Sequence, residues 1–321
     1  MNLLEGLKNH SVVVADSSDF ESVTFYEPQD ATTNPSLILQ ASYKEQYFPL
    51  LKDAVLFGEK APTVEMRKVL SADKLFVNFG MELLKRIPGR VSVEVDARLS
   101  FNVEKSYERA KHLIYLFEKE NIPRERILIK LASTYEGIEA AKRLEKEGIH
   151  CNLTLLFSLM QAAFCAEADV TLISPFVGRV LDWYKKNHIY YAENDFESYE
   201  GPGVMLVKII YFYYKTHGYK TSVMGASFRN IEEVLELAGC DLLTIPPHLL
   251  EELKMKKGFV ENRMETYCGQ GLSKFVLSKD RFQKELKENR MLSEKLYEGI
   301  KKFSDDAFLL EKRLEEICSV F

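Results

Sequence analysis

Eight short apolar runs alternate with helical stretches along this chain, and no other feature restricts the fold as much. The runs are VVVAD (Val12 to Asp16), DATTNP (Asp30 to Pro35), VSVEVD (Val91 to Asp96), ILIKLA (Ile127 to Ala132), CNLTLLF (Cys151 to Phe157), VTLISPFV (Val170 to Val177), SVMGAS (Ser222 to Ser227) and DLLTIPP (Asp241 to Pro247). Between most of them apolar residues return every three or four positions while Lys and Glu fill the gaps, most clearly over Val103 to Glu120, Thr134 to Glu147, Val204 to His217 and Ile231 to Ala238. Strands joined by helices pair in parallel, because a crossover is needed to bring the chain back to the same end of the sheet. A doubly wound sheet and a (β/α)8 TIM barrel both satisfy this α/β rule, and a count of eight favours the barrel. The stretch from Ser36 to Pro88 has room for two or three further helices, and the tail from about residue 280 for more; these exceed a minimal barrel and are expected to pack on its outside. No Gly/Ser or Pro-rich linker interrupts residues 1–321, which reads as one domain.

Alternate strand residues face opposite sides, so each run divides into a helix-facing and a lumen-facing set. In ILIKLA the outward set is Ile127, Ile129 and Leu131, which turns Lys130 inward. In VSVEVD the valines leave Ser92, Glu94 and Asp96 on the inner face. By the same parity Asp16, Asn34, Asn152, Thr154, Ser174 and Phe176 point inward, with Leu155 outward beside Cys151 and Leu153. Buried polar groups cost a few kcal/mol each unless paired, so a lumen holding one lysine with carboxylates, amides and hydroxyls must form a connected network. These groups gather towards strand C-terminal ends, where barrel enzymes keep their chemistry.

Enclosure between Ile129 and Leu131 disfavours the ammonium form of Lys130 and favours the free amine, which attacks carbonyls. The resulting protonated Schiff base draws electrons from a neighbouring carbon–carbon bond as that bond breaks. One carboxylate is then needed to move the substrate hydroxyl proton, and another, with a hydroxyl, to handle the water of imine formation and hydrolysis. Asp16 and Glu94 with Thr154 supply those types, although a buried Lys130 ion pair with either carboxylate would also account for the pattern. After the seventh run, Gly225 and Ala226 permit close backbone approach, Ser227 offers a hydroxyl and a helix begins near Asn230. Its free N–H groups with Arg229, and Arg179 beyond the sixth run, could hold a phosphate. Either arginine could instead form a surface ion pair, and Asp96 with Arg98 reads as a structural one. Trp183 and Tyr184 read as packing residues.

Lys and Arg number 43 against 48 Asp and Glu, a net charge of −5 with no basic stripe, so the footprint of a nucleic-acid binder is missing. No run is apolar for the length of a membrane span, and the start MNLLEGLKNH has no signal-peptide core, so a cytoplasmic protein is expected. Five dispersed cysteines, Cys151, Cys165, Cys240, Cys268 and Cys318, read as reduced thiols without metal-ligand spacing.

The segments VVADSSDF, DATTNPSLI, VSVEVDARLS, RILIKLASTYEGIEAAKRLEKEGIHCNLTLLFS, LISPFVGRVLDWYK and VMGASFRNIEEVLELAGCDLLTI closely resemble the transaldolase family, in order and over nearly the whole chain. The resemblance implies a (β/α)8 barrel and cofactor-free Schiff-base chemistry on sugar phosphates: a dihydroxyacetone unit passes between sedoheptulose 7-phosphate or fructose 6-phosphate and glyceraldehyde 3-phosphate or erythrose 4-phosphate. It implies Lys130 as the Schiff-base lysine, Asp16 as acid/base, and Glu94 working with Thr154 through a water. Asn34, Ser92, Asn152, Ser174 and Phe176 would surround the dihydroxyacetone, Arg179, Ser227 and Arg229 the phosphate, and a homodimer is suggested. ADSSD departs from the usual ADTGD, Val93 stands where Thr is common, and Tyr135 where Trp is. A fructose 6-phosphate aldolase, which releases the three-carbon unit, and a silent sugar-phosphate binder are the other readings. Phe176, without a hydroxyl beside the imine, favours transfer.

Overall fold

The computed structural model describes residues 1–188, 201–265 and 272–319. Helix α1 (Leu3–Lys8) precedes eight strands: β1 (Val12–Asp16), β2 (Asp30–Thr32), β3 (Val91–Glu94), β4 (Ile127–Ala132), β5 (Cys151–Leu156), β6 (Leu172–Pro175), β7 (Ser222–Gly225) and β8 (Leu242–Ile245). They close in sequence order into a barrel, each pairing in parallel with the next and β8 with β1. The intervening helices are α2 (Phe20–Tyr26), then α3 (Pro35–Ala41), α4 (Phe48–Gly58) and α5 (Val64–Leu84), then α6 (Val103–Lys119), α7 (Tyr135–Lys146), α8 (Leu159–Glu167), α9 (Val177–Lys186), α10 (Pro202–His217) and α11 (Ile231–Leu235). After β8 come α12 (Pro247–Met255), α13 (Lys279–Glu288) and α14 (Arg290–Cys318). No helix of the described residues is long and apolar enough to cross a membrane.

Local chemistry sets these boundaries. Thr134 caps α7 by accepting from the Gly137 N–H at 2.9 Å, and Ser158 with Gln161 forms a capping box on α8. The second strand was expected to reach Pro35 but stops at Thr32. Asn34 turns its side chain onto the Leu37 N–H as an N-cap, and Pro35, which has no N–H to give a ladder, takes the first helical position. The ADSSD turn is held by Ser17, which accepts from the Asp19 N–H, and by Ser18, which donates to the Leu37 carbonyl.

Strand parity holds around most of the barrel. Val13, Ala15, Val91, Val93, Ile127, Ile129, Leu131, Leu153 and Ile173 join the apolar layer between strands and helices. Val14, Leu128, Leu172, Met224 and Leu242 form a separate buried cluster inside, a floor across the lumen. The exception is Leu155. The ladder between β5 and β6 shifts register between Leu153 and Leu156, with Leu155 at φ +53°. That irregularity sends Leu155 to a different cluster with Phe157, Phe176, Leu296 and Ile300, and leaves Leu156 to face the outer layer.

The tail packs on the barrel, and α14 does so across its C-terminal end, against α3, α5, α9, β5 and the turn after β3. In that turn Asp96 lies beyond the strand and binds Arg98, whose guanidinium also reaches Glu311 of α14. The pair read as structural therefore ties the last helix down. Trp183 is buried against α14 and donates to Glu294 at 2.7 Å.

Candidate active site

Lys130 projects from β4 into the lumen with 5% of its surface exposed, directly beside Glu94 of β3 in the strand register. Its ammonium donates to the Thr33 carbonyl at 3.1 Å and lies 3.7 Å from Glu94 Oε2, an electrostatic contact outside hydrogen-bond reach. Glu94 Oε2 and, from β5, Thr154 Oγ1 are buried with no hydrogen-bond partner among the described residues. Two unsatisfied acceptor-capable groups flanking one lysine are costly in a packed lumen and mark a place built to receive a polar guest. Burial pushes the Glu94 carboxyl up to about 7, with Lys130 and Arg179 pulling the other way and Asp16 adding to the rise.

Asp16, at the C-terminal end of β1, accepts a hydrogen bond from Thr32 Oγ1 at 3.1 Å. Its residue surface is only partly covered, but the carboxyl is ringed by the lumen walls. That desolvation raises its proton affinity, against the pull of Lys130, Thr32 and Arg179. Below them a second network crosses the barrel: Asn152 Nδ2 donates to Ser92 Oγ at 3.0 Å, and Ser174 Oγ donates to Asn152 Oδ1 at 2.5 Å. Both bonds fix the Asn152 amide orientation. Phe176 is buried above Ser174 in sequence, its ring edge-to-face with Phe157 at 5.7 Å. Asn34 stands at the mouth as the α3 cap.

The rim carries the arginines. Gly178 places its N–H on the Ser227 carbonyl at 2.9 Å, and a Cβ there would lie 2.4 Å from that oxygen and 2.6 Å from Arg229 Cγ, so glycine allows the first turn of α9 to meet the loop after β7. Ser227 holds a left-handed φ of +63°, strain of the kind that gathers at functional sites. Arg179 stacks its guanidinium on Phe176 at 4.8 Å and on Phe303 of α14 at 5.5 Å, and burial and Arg229 both disfavour its charge. No carboxylate among the described residues is within salt-bridge distance of Arg179. Arg229 behaves differently: its fork is exposed and engages Asp182 at 2.7 and 3.2 Å. The free N–H groups expected near Asn230 are also partly taken, since Arg229 N–H donates to Glu233 and Glu233 N–H to Asn230, because Glu233 folds back over the short α11.

Three contributors escaped the sequence reading. Thr32 and Thr244 touch at 2.9 Å through their hydroxyls, and both lie on inward parity positions that the strand pattern could have revealed. The third is α14, whose Phe303 and Gly299 reach Arg179; its apolar stripe carries no sign of which strand ends it covers.

A closed parallel barrel with a lysine buried in its lumen beside Glu94, within electrostatic reach of Asp16 and below a pair of rim arginines, defines a lysine-centred barrel enzyme. The chain belongs to the Transaldolase/Fructose-6-phosphate aldolase family, whose profile matches residues 13–314. It is 53% identical to a probable transaldolase of Dictyostelium discoideum, over 98% of this chain and 99% of that protein. It is 53% identical to a transaldolase of Protochlamydia amoebophila, over 98% and 97% of the two chains, and 51% identical to transaldolase A of Escherichia coli K12, over 99% of each.

Proposed function

We propose that the protein is a transaldolase acting through an imine on Lys130, and the observation that carries this reading is the buried Lys130 ammonium set 3.7 Å from Glu94 in a barrel closed below. The amine adds to the C2 carbonyl of a ketose phosphate. Glu94, balanced between its two forms near neutrality, gives a proton to the departing hydroxyl, and water leaves as the imine forms. Asp16 takes the C4 hydroxyl proton while the C3–C4 bond breaks and its electrons pass to the iminium nitrogen, so an aldose phosphate departs. The three-carbon enamine then attacks the carbonyl of an acceptor aldose, Asp16 returns the proton to the new hydroxyl, and water hydrolyses the imine. Glu94 Oε2 and Thr154 Oγ1 are the groups suited to hold that water.

Arg179, Ser227 and Arg229 would take the phosphate, with Arg229 exchanging Asp182 for substrate. Sedoheptulose 7-phosphate with glyceraldehyde 3-phosphate, and fructose 6-phosphate with erythrose 4-phosphate, are the proposed pairs, which places the reaction in the non-oxidative pentose phosphate pathway. The apolar ring of Phe176 favours retention of the enamine for transfer over its protonation and release. A cytoplasmic setting fits the free thiols of Cys151, Cys165, Cys240 and Cys318, Cys268 lying outside the described residues. A homodimer is carried by the resemblance, and sedimentation checks it.

Borohydride reduction in the presence of fructose 6-phosphate, followed by peptide mapping, tests the reading. A dihydroxyacetone adduct on Lys130 that erythrose 4-phosphate diminishes is the expected result. A folded protein that takes up no adduct, or takes it on another lysine, overturns it.

A further inference from the structure

The lumen contains a hydroxyl pair with no part in the proposed proton transfers. Thr32 on β2 and Thr244 on β8 stand on either side of β1, paired in register near Asp16 and Val14. Barrel curvature brings inward side chains of alternate strands into one layer, so the two hydroxyls meet across the inner face of β1 at 2.9 Å. Both residues are buried, at 2% and 4% exposure. Thr32 Oγ1 also lies 3.1 Å from Asp16 Oδ1.

We propose that Thr32, supported by Thr244, is a positioning residue that holds Asp16 as the ionised base and reserves its Oδ2 for the substrate proton. The inference rests on Asp16 acting as the acid/base of the proposed reaction. Its direction follows from proton counting. An ionised carboxylate only accepts, so the single Thr32 hydroxyl proton is committed to Asp16 Oδ1. The Thr32 lone pairs then accept from Thr244, whose hydroxyl makes no other hydrogen bond to the described residues. The chain therefore runs from Thr244 through Thr32 to Asp16, each bond polarising the next. Oδ1 is occupied throughout, and Oδ2 is left as the atom that takes and returns the C4 hydroxyl proton.

The charged groups facing Asp16 do not make this pair redundant. Lys130 and Arg179 favour the ionised form, but the lysine loses its charge in the free-amine state that attacks substrate, and Glu94 opposes ionisation when it is itself charged. Besides the fixed charge of Arg179, the threonine donors are the support for the Asp16 charge that does not vary with the protonation of its neighbours.

The test is the pH dependence of kcat/KM for fructose 6-phosphate with erythrose 4-phosphate. Thr32→Val, which keeps shape and removes the donor, is expected to move the acid limb upward by about one pH unit, the size of a hydrogen bond to a charged group. Thr32→Ser restores the parent profile. Thr244→Val gives a smaller shift, and the double variant Thr32→Val/Thr244→Val matches Thr32→Val alone, because Thr244 acts only through Thr32. Borohydride trapping of free dihydroxyacetone on Lys130, which needs no C3–C4 cleavage, stays at the parent rate. A Thr32→Val profile that overlays the parent, or a serine variant as impaired as the valine, overturns the proposal. Asp16→Asn separates the two levels: if it keeps full turnover, the acid/base assignment of Asp16 itself has failed.

Discussion

Replacing Gly299 by alanine sets two known effects against each other. Gly299 lies inside α14, where alanine is intrinsically preferred by about 1 kcal/mol. A Cβ at this position would, however, stand 2.5 Å from Leu155 Cδ2 and 3.2 Å from Arg179 Nη1. Leu155 is fully buried and held in a left-handed backbone conformation, so it has little freedom to swing aside. Forcing a methyl group into such a contact costs roughly 1–3 kcal/mol, which exceeds the helix gain. The net expectation is a loss of about 1 kcal/mol in denaturant unfolding. The same methyl displaces the guanidinium of Arg179 by a few tenths of an ångström. Weakening one charge-assisted bond to phosphate by about 1 kcal/mol would raise KM for fructose 6-phosphate roughly fivefold. KM for unphosphorylated fructose should not move. A variant more stable than the parent, with both KM values unchanged, would refute the claim that the last helix is packed hard against the arginine.

Lys130→Met is expected to lose all turnover yet unfold within about 2 kcal/mol of the parent, since methionine replaces the stem and Glu94 takes up a proton rather than stay charged; a broadened near-UV spectrum would contradict this. Arg229→Ala removes an exposed pair with Asp182, so its stability should change by less than about 1 kcal/mol while KM for phosphorylated substrates rises. Arg179→Ala, which empties the space between two rings, should lower both stability and phosphate affinity, as calorimetric melting and initial rates would reveal. Buried Asp73, beside Arg109, has its carboxyl raised to about 6 by desolvation. The native state therefore keeps a proton that the unfolded chain releases near pH 4, and stability falls as pH rises from 4 to 6. A rise of about two units corresponds to ~3 kcal/mol. Asp73→Asn should flatten that part of the stability curve measured by denaturation at several pH values.

How much of this was readable beforehand depended on periodicity. The inward turn of Lys130, Glu94, Asn152 and Ser174 followed from two-residue alternation alone, because the ladders from β3 to β5 keep regular register and the break in β5 comes only after Leu153. Leu155 defeated the same rule, since one left-handed residue breaks the alternation and nothing in TLLF announces it. The end of β2 was legible in principle from Asn34 before Pro35, a cap followed by a first-turn proline. The rim was not: the pairing of Arg229 with Asp182 joins the loop after β7 to helix α9 across 47 positions, and a helix stripe cannot name the surface it will meet. The contact of Phe303 in α14 with Arg179 is of that kind.

The apolar floor of Val14, Leu128, Leu172, Met224 and Leu242 has a consequence for the order of events. A barrel sealed at one end is a room with a single door, and the lysine stands at the back of it. The first aldose to be released must leave by the passage through which the acceptor enters, and on the proposed phosphate site the two would share one hold. They therefore exclude each other while the three-carbon unit waits on the enzyme. Initial-rate plots at varied donor and acceptor should give parallel lines, and each aldose should act as a competitor of the other.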